Sequence, residues 1–355
     1  MPGRRNETLA SRLWPDHADR MTHALDDLGW VPFFADQVTD DDAGLVPMRI
    51  AAVHRSRLMA ETGAGQVRLD LPIHASTADY AVGDWVLAKG DTRVVARLLD
   101  RRALLRRRTE GADARQLIAA NVDTLFVVTS CNDDFNPARL ERYLALANEA
   151  GTDPVIVLTK IDKVDDPSDW IERARSLQRG LQVVALNAKS PDAAAVLAPW
   201  CGPGRTVALV GSSGVGKSTL LNTLSGSDAQ ATGDIRESDA KGRHTTTSRS
   251  LHPVAGGGWV IDTPGMRTLH VADVAVGIEM LFAEITELAP QCRFRDCTHA
   301  HEPGCAVQAA VRAGTLDADR LERWRKLHDE NRDNTPVQTG PRGNRTTLPR
   351  GSKRR

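Results

Sequence analysis

Gly211-Ser212-Ser213-Gly214-Val215-Gly216-Lys217-Ser218 fills every fixed position of the pattern GxxxxGKS. It follows the apolar run Thr206 to Val210 and opens the helical pattern STLLNTL. A phosphate-binding loop needs this setting. Glycines admit backbone angles closed to other residues, so successive N–H groups can turn inward around a phosphate, and the helix N-terminus adds its partial positive charge. Lys217 is then expected to bridge the β- and γ-phosphates, and the Ser218 hydroxyl to ligate Mg2+.

Working outward from this loop, other segments decide between ATP and GTP. Thr159-Lys160-Ile161-Asp162 follows the strand-like run PVIVL and corresponds to the guanine-reading NKxD element. A carboxylate at Asp162 can accept from guanine N1–H and the 2-amino group, an arrangement adenine does not offer, while the Lys160 stem can cover the ring. Thr159 stands where that element carries Asn, which removes an amide donor and acceptor. Asn187-Ala188-Lys189, after QVVAL, matches the second base-contact loop with Asn in place of its usual Ser. Val260 to Gly265 is an apolar strand ending in DxxG, with Asp262 expected at Mg2+ and the Gly265 amide at the γ-phosphate.

The order of these motifs is informative. Asp162 precedes Lys217, which precedes Asp262, whereas most GTPases place the guanine motif last. The sheet is therefore expected to be circularly permuted, which packing tolerates because domain termini commonly lie close together. Between the P-loop and DxxG, Gly242-Arg243-His244-Thr245-Thr246-Thr247 reads as a switch, with Thr246 chosen among three threonines for Mg2+ and the γ-phosphate. Met266 stands where many GTPases carry the Gln that orients water. A thioether cannot do that, so slow intrinsic hydrolysis is expected, with His244 or a partner supplying the polar group.

Alternation of strands and helices from about residue 120 predicts a parallel sheet covered on both faces. Its clearest helix has Asn136 as N-cap, Pro137 at its start, Leu140, Tyr143, Leu144 and Ala147 on one face, and Gly151 past its end. A second helix is read near Trp170 to Arg179. Before this region, residues 45–108 contain short β-like runs (LVPMRIAAV, QVRLDL, GDWVLA, RVVARLL) typical of a small barrel, for which an OB-like fold is the economical reading. The barrel ends in RRALLRRR, either a solvated strand end or a nucleic-acid contact. Residues 1–44 have weak helical patterning and receive no function.

Cys292-x4-Cys297-x-His299-x5-Cys305 offers three thiolates and one imidazole, suited to a tetrahedral Zn2+ with no open position and hence a structural role. His301 is the alternative imidazole. Cys131 and Cys201 read as core thiols. Helical patterns at Ile278 to Leu288 and at Leu321, Trp324 and Leu327 surround the cluster. The last 25 residues hold seven Arg/Lys against one Asp and read as a disordered basic tail.

With 355 residues, 41% hydrophobic and 26% charged, the chain fits a globular multidomain protein. Cations and anions balance at 46 each, so net charge gives no argument for nucleic-acid binding. No apolar run approaches the roughly 18 residues needed to span a bilayer, and a cytoplasmic protein is expected.

With QLIAANVDT, GSSGVGKSTLLN, GRHTTT, DTPG and CRFRDCTHAHEPGC, the chain over about residues 45–330 resembles the bacterial ribosome small-subunit-dependent GTPases that act in late 30S maturation. The resemblance implies an OB-fold docking on 16S ribosomal RNA, GTP hydrolysis stimulated by the 30S subunit, and a zinc domain that also touches the ribosome. Expected divisions are 1–44, an extension; 45–108, the OB-fold; 109–272, the permuted α/β P-loop GTPase domain; 273–330, the helical zinc-binding domain; and 331–355, the tail. Expected ligands are GTP, Mg2+ and one structural Zn2+, and the expected state is a monomer with no membrane partner.

Overall fold

A computed structural model describes residues 25–108, 115–226, 249–263, 271–335, 337–339 and 344–346. Its centre is the parallel series formed by β8 (Thr124–Ser130), β9 (Asp153–Thr159), β10 (Gln182–Ala185), β11 (Thr206–Gly211) and β13 (Trp259–Asp262). These lie in the order β10-β9-β8-β11-β13, with β12 (Ser250–Pro253) antiparallel beyond β13. The motif order of the sequence is thus matched by a permuted sheet.

Strands of such a sheet are buried on both sides. Every residue of β8 and β11 is buried. Side chains alternate between two cores, as the two-residue period of a strand requires. Phe126, Val128, Val207 and Leu209 meet Leu220, Leu221 and Leu224 of α4 (Lys217–Ser225) on one face. Leu125, Val127, Ala208 and Val210 meet Leu140, Tyr143 and Leu144 of α1 (Pro137–Ala150) on the other. α1 has the predicted ends: the Asn136 side chain accepts from Arg139 N at 3.0 Å, and Gly151 closes it at φ 70°. α2 occupies Ser168–Arg175, shorter than the Trp170 to Arg179 reading, and α3 is Ala193–Leu197.

The second core continues without a break into the C-terminal helices α5 (Ala275–Leu281), α6 (Ala283–Leu288), α7 (Ala306–Arg312) and α8 (Ala318–Asn334). At Gly277 a Cβ would lie 2.0 Å from Ala145 O, so only glycine lets α5 press onto α1. Buried Glu141 of α1 accepts from Arg320 Nη1 and Arg323 Nε, both at 2.9 Å, and Arg320 Nε donates to Glu284 at 2.8 Å.

Before the parallel sheet come β1 (Leu45–Val53), β2 (Leu58–Thr62), β3 (Gly65–Leu69), β4 (Trp85–Lys89) and β5 (Val95–Leu98). β1 pairs with both β2 and β4, β2 with β3, and β4 with β5; a parallel bridge joins Asp70 to Val94. Met48, Ile50, Leu58, Leu69 and Val86 fill the interior. β2 was not among the predicted runs; its charged and small residues dilute the alternation. β1 also pairs with β12 at Ala52↔Ser250, joining these strands and the parallel series into one 11-stranded sheet.

Three sequence readings are corrected or completed. Residues 25–44 pack against the N-terminal strands, where Leu25, Leu28, Phe34 and Val38 meet Trp85, Leu87 and Leu99. Of the RRALLRRR arginines, Arg101 pairs with buried Asp84 at 2.7 Å and Arg102 pairs with Asp123, while β6 (Leu104–Arg108) pairs antiparallel with β7 (Arg115–Ala120) across the expected 108/109 boundary. The expected disordered tail is overturned at its start: α8 runs to Asn334 with Asn331 buried, and β14 (Val337–Thr339) pairs with β15 (Asn344–Thr346). Polar side chains there satisfy backbone groups of another segment, which composition cannot reveal. Among the described residues, no helix is long and apolar enough to cross a membrane.

Replacing Glu141 with Ala leaves the Arg320 guanidinium buried without one of its carboxylates. The expected cost is about 3–5 kcal/mol, read as a lowered urea midpoint; a change below about 1 kcal/mol would contradict this account of how α8 is held.

Candidate functional site

The phosphate loop begins where β11 ends. Gly211 has φ 143°, and a Cβ there would lie 2.1 Å from Val128 O of the neighbouring strand, so no other residue fits the register Gly211↔Val128. Gly214 and Gly216 also have positive φ, Val215 is buried beneath the loop, and Gly216 precedes the first turn of α4. Lys217 Nζ donates to Gly211 O at 2.8 Å and to Ser212 O, folding the ammonium back against its own loop. Ser218 lies in the same first turn. On the other side of β11, the register Leu209↔Asp262 sets the Asp262 carboxylate on the adjacent strand, near the level where the loop begins. Thr263 donates to Leu209 O and secures that strand end.

Base-reading candidates approach the loop from the opposite side. Thr159 ends β9 and is fully buried; its hydroxyl oxygen is 2.6 Å from Val215 O and 3.1 Å from Thr129 O. The threonine that replaces Asn thus bonds the base loop to the phosphate loop, a job its hydroxyl can do without an amide. Lys160 turns the chain at φ 59°, and Ile161–Lys163 forms a 3-10 turn carrying Asp162. The carboxylate of Asp162 is part-exposed, with Lys163 Nζ 3.7 Å away. A Cβ on Gly216 would sit 3.7 Å from Ala188 Cβ and 3.8 Å from Thr159 Oγ1, so the three loops meet there. Asn187 Oδ1 accepts from Lys189 N at 3.0 Å, which fixes the turn and leaves its NH2 as the group available to a base. Thr223 of α4 donates to Ala188 O at 3.0 Å, a tie the sequence did not signal.

Thr246, His244 and Gly265, with the rest of 242–247 and Met266, lie outside the described residues. The segment after 264–270 is fastened to α8. Val271 N donates to Glu330 Oε1 at 3.2 Å, Asp273 N to Thr335 Oγ1 at 2.9 Å and Val274 N to Asn331 Oδ1 at 3.0 Å, and Asn334 Nδ2 donates to Val271 O at 3.0 Å. Glu330 also binds Arg142 of α1 at 2.6 Å. No motif marked these residues.

The metal ligand atoms of Cys292, Cys297, His299 and Cys305 all lie within 4.8 Å of one another. Zinc bonds of roughly 2.3 Å to sulfur and 2.0–2.1 Å to nitrogen make tetrahedral edges of about 3.8 Å between sulfurs and about 3.5 Å between sulfur and nitrogen. The observed edges are 3.8 Å for Cys292–Cys305 and 3.5 Å from His299 Nδ1 to each of those sulfurs. The donor set therefore fits Zn2+. His299, not His301, belongs to it; its ring lies 5.3 Å from that of Trp324, and Gln308 Nε2 donates to His299 O at 2.6 Å. Ala306 N and Gln308 N donate to Cys292 and Cys305 sulfurs at 3.4 Å. Cys131 and Cys201 are buried free thiols, and burial pushes Cys201 up to about 12, where it stays protonated and inert.

The permuted sheet order, with a phosphate loop leaving its centre and a base loop leaving the next strand but one, defines a circularly permuted GTPase fold. A sequence model described as RsgA GTPase matches residues 98–272. "Small ribosomal subunit biogenesis GTPase RsgA" of Mesorhizobium japonicum is 64% identical over 334 residues, covering 93% of this chain and 96% of that protein. "Small ribosomal subunit biogenesis GTPase RsgA 2" of Vibrio vulnificus is 51% identical over 86% of this chain and 87% of its own length. In structure, YjeQ from Thermotoga maritima matches with TM-score 0.60 at 26% identity, over 81% of this chain and 98% of that one. YloQ, "a circularly permuted GTPase", matches in fold with TM-score 0.57 at 23% identity, over 84% of this chain and 99% of that one. The chain belongs to the RsgA GTPase family.

Protein purified from zinc-containing medium and dialysed extensively is expected to retain about one equivalent of Zn2+ by elemental analysis, as a closed four-ligand site predicts. Less than about half an equivalent would oppose the closed site.

Proposed function

We propose that this chain hydrolyses GTP and, by doing so, assists late maturation of the small ribosomal subunit, with the particle stimulating hydrolysis and hydrolysis permitting release. The observation that carries the nucleotide half is the meeting of Thr159, Ala188 and Gly216, where a base loop and a phosphate loop share one contact. The particle half rests on the relatives, which are named for small-subunit biogenesis.

In this reading the Asp162 carboxylate accepts from guanine N1–H and its 2-amino group, the Lys160 stem covers the ring, and Asn187 and Ala188 complete the base contact. The backbone amides from Gly211 to Gly216 wrap the phosphates, and Lys217 leaves its two carbonyls to bridge the β- and γ-oxygens. Ser218 and Asp262, joined by Thr246, are the residues that would hold Mg2+, which would supply neutralisation of phosphate charge. Gly265 meets the γ-phosphate through its amide, and His244 orients the attacking water that Met266 cannot. The four-ligand cluster holds zinc for structure only.

The pairing of β1 with β2 and β4, of β2 with β3 and of β4 with β5, together with the isolated Asp70–Val94 bridge, supports an OB-type barrel at 45–108 whose outer face docks on 16S rRNA. The GTPase domain runs to about residue 272 and takes in the β6–β7 pair that crosses the expected 108/109 boundary, and the zinc-binding helices follow it to Asn334. The protein works as a monomer in the cytoplasm, where its particle is assembled.

Phosphate release measured with and without purified 30S subunits is expected to rise at least tenfold at saturating particle. No stimulation would favour a nucleotide-regulated scaffold and overturn the enzyme reading. Asp162→Asn removes a charge-assisted pair of bonds worth about 1.5–3 kcal/mol, so GTP should bind roughly 10- to 100-fold more weakly while xanthosine triphosphate gains. Unchanged GTP affinity would defeat the base assignment.

A further inference from the structure

Between Cys292 and Cys297, two members of the metal cluster, the chain exposes Arg293-Phe294-Arg295. Phe294 is 41% exposed, whereas Trp85, Phe126, Tyr143 and Phe282 are buried. The Arg293 guanidinium lies 5.5 Å from the Phe294 ring centroid. Among the described residues neither Arg293 nor Arg295 has a carboxylate partner, although Arg320, Arg323 and Arg142 are each paired in the same helical region.

An exposed phenylalanine alone needs no explanation. This one sits on a turn fixed at both ends. Arg293 N donates to Gly304 O at 3.1 Å, Cys292 N to Ala289 O at 3.1 Å, and the flanking thiols converge on the cluster. A ring held by a preformed turn loses little entropy on binding. Its occupant must offer a flat π-face to Phe294 and negative charge to the cations on either side. A nucleotide in a single strand meets both demands, because its base is free to stack and phosphates flank it. A duplex hides its base faces. An acidic peptide would answer the arginines and leave the ring in water.

We propose that Phe294 stacks on an unpaired base of the RNA in the ribosomal particle while Arg293 and Arg295 bind the adjoining phosphates. The inference rests on the particle reading above and adds the chemistry of one contact: an unstacked base, not a helix and not a protein pocket.

The test is 30S binding by the full-length protein, with zinc content and basal GTPase measured as controls expected to stay unchanged. Phe294→Ala and Phe294→Leu should each weaken binding about tenfold, within the range for one lost stacking contact. Phe294→Trp, which keeps a π-face, should hold wild-type affinity. Replacing Arg293 and Arg295 together with Gln should lower the slope of log affinity against log salt by about 2, near one per phosphate contact. A benzophenone side chain at position 294 should crosslink to 16S rRNA. Full affinity in Phe294→Leu, or crosslinks to ribosomal protein alone, would mean an apolar protein contact and overturn the proposal. If wild-type protein is stimulated by the particle and Phe294→Ala binds equally well, this inference alone fails. If wild-type protein neither binds nor responds to the particle, the functional reading fails and takes this one with it.

Discussion

The ladder between β8 and β11 is the constraint on which the molecule turns. It joins strands separated by 75 residues of chain, from Thr124↔Val207 to Val128↔Gly211, and it is closed so tightly that Gly211 has no room for a side chain. Every element expected to face the nucleotide is placed from it. One strand to one side, β9 delivers Thr159 and Asp162; at the seam itself, β11 delivers the phosphate loop; one strand to the other side, β13 delivers Asp262. Covalent order is irrelevant to this geometry, which is why a permuted chain can build it. The Thr159 hydroxyl then ties the two loops across the seam at Val215 O, a buried bond whose loss would leave a carbonyl unsatisfied at a cost of about 1–3 kcal/mol.

What could be read in the sequence was whatever is local. The phosphate loop is eight consecutive residues, the metal cluster spans 14, and α1 carries its own cap signals, so each was legible before the fold was known. Thr159 was legible as a position and misread in consequence: the missing amide drew attention to the base, whereas the hydroxyl works on the phosphate loop. Long-range polar contacts were invisible. Asn331 and Thr335 lie 57 and 62 residues from the amides they satisfy, and in composition they are indistinguishable from the start of a solvated tail. The 25–44 segment shows only weak helical patterning in sequence, and its packing partners Trp85, Leu87 and Leu99 are too distant along the chain for that pattern to reveal them.

Arg49 of β1 shows how far the N-terminal strands and the parallel series are interlocked. It is 1% exposed, and burial lowers its guanidinium to about 10, yet it remains the protonated form at neutral pH. Its donors reach Leu28 O in the N-terminal segment and Thr206 Oγ1 at 2.7 Å, on the first residue of the strand that ends in the phosphate loop. A buried cation served by a carbonyl and a hydroxyl, with no carboxylate in contact, is costly to create. It is tolerated where three segments must keep one relative placement.

Both peripheral units are fastened at the exits of the two segments expected to face the γ-phosphate. Ser250, the first residue of β12 after 227–248, pairs with Ala52 of β1. Val271 to Val274, immediately after 264–270, are held by four side-chain bonds at the end of α8. At about 0.5–1.5 kcal/mol net for each such bond, the α8 grip amounts to a few kcal/mol. That is comparable to the 1–3 kcal/mol typical of coupling between distant sites. Glu141 with its two arginines holds α8 to α1 independently of that grip. The C-terminal helices are therefore bound to α1 along both α5 and α8, and also to the segment that follows 264–270.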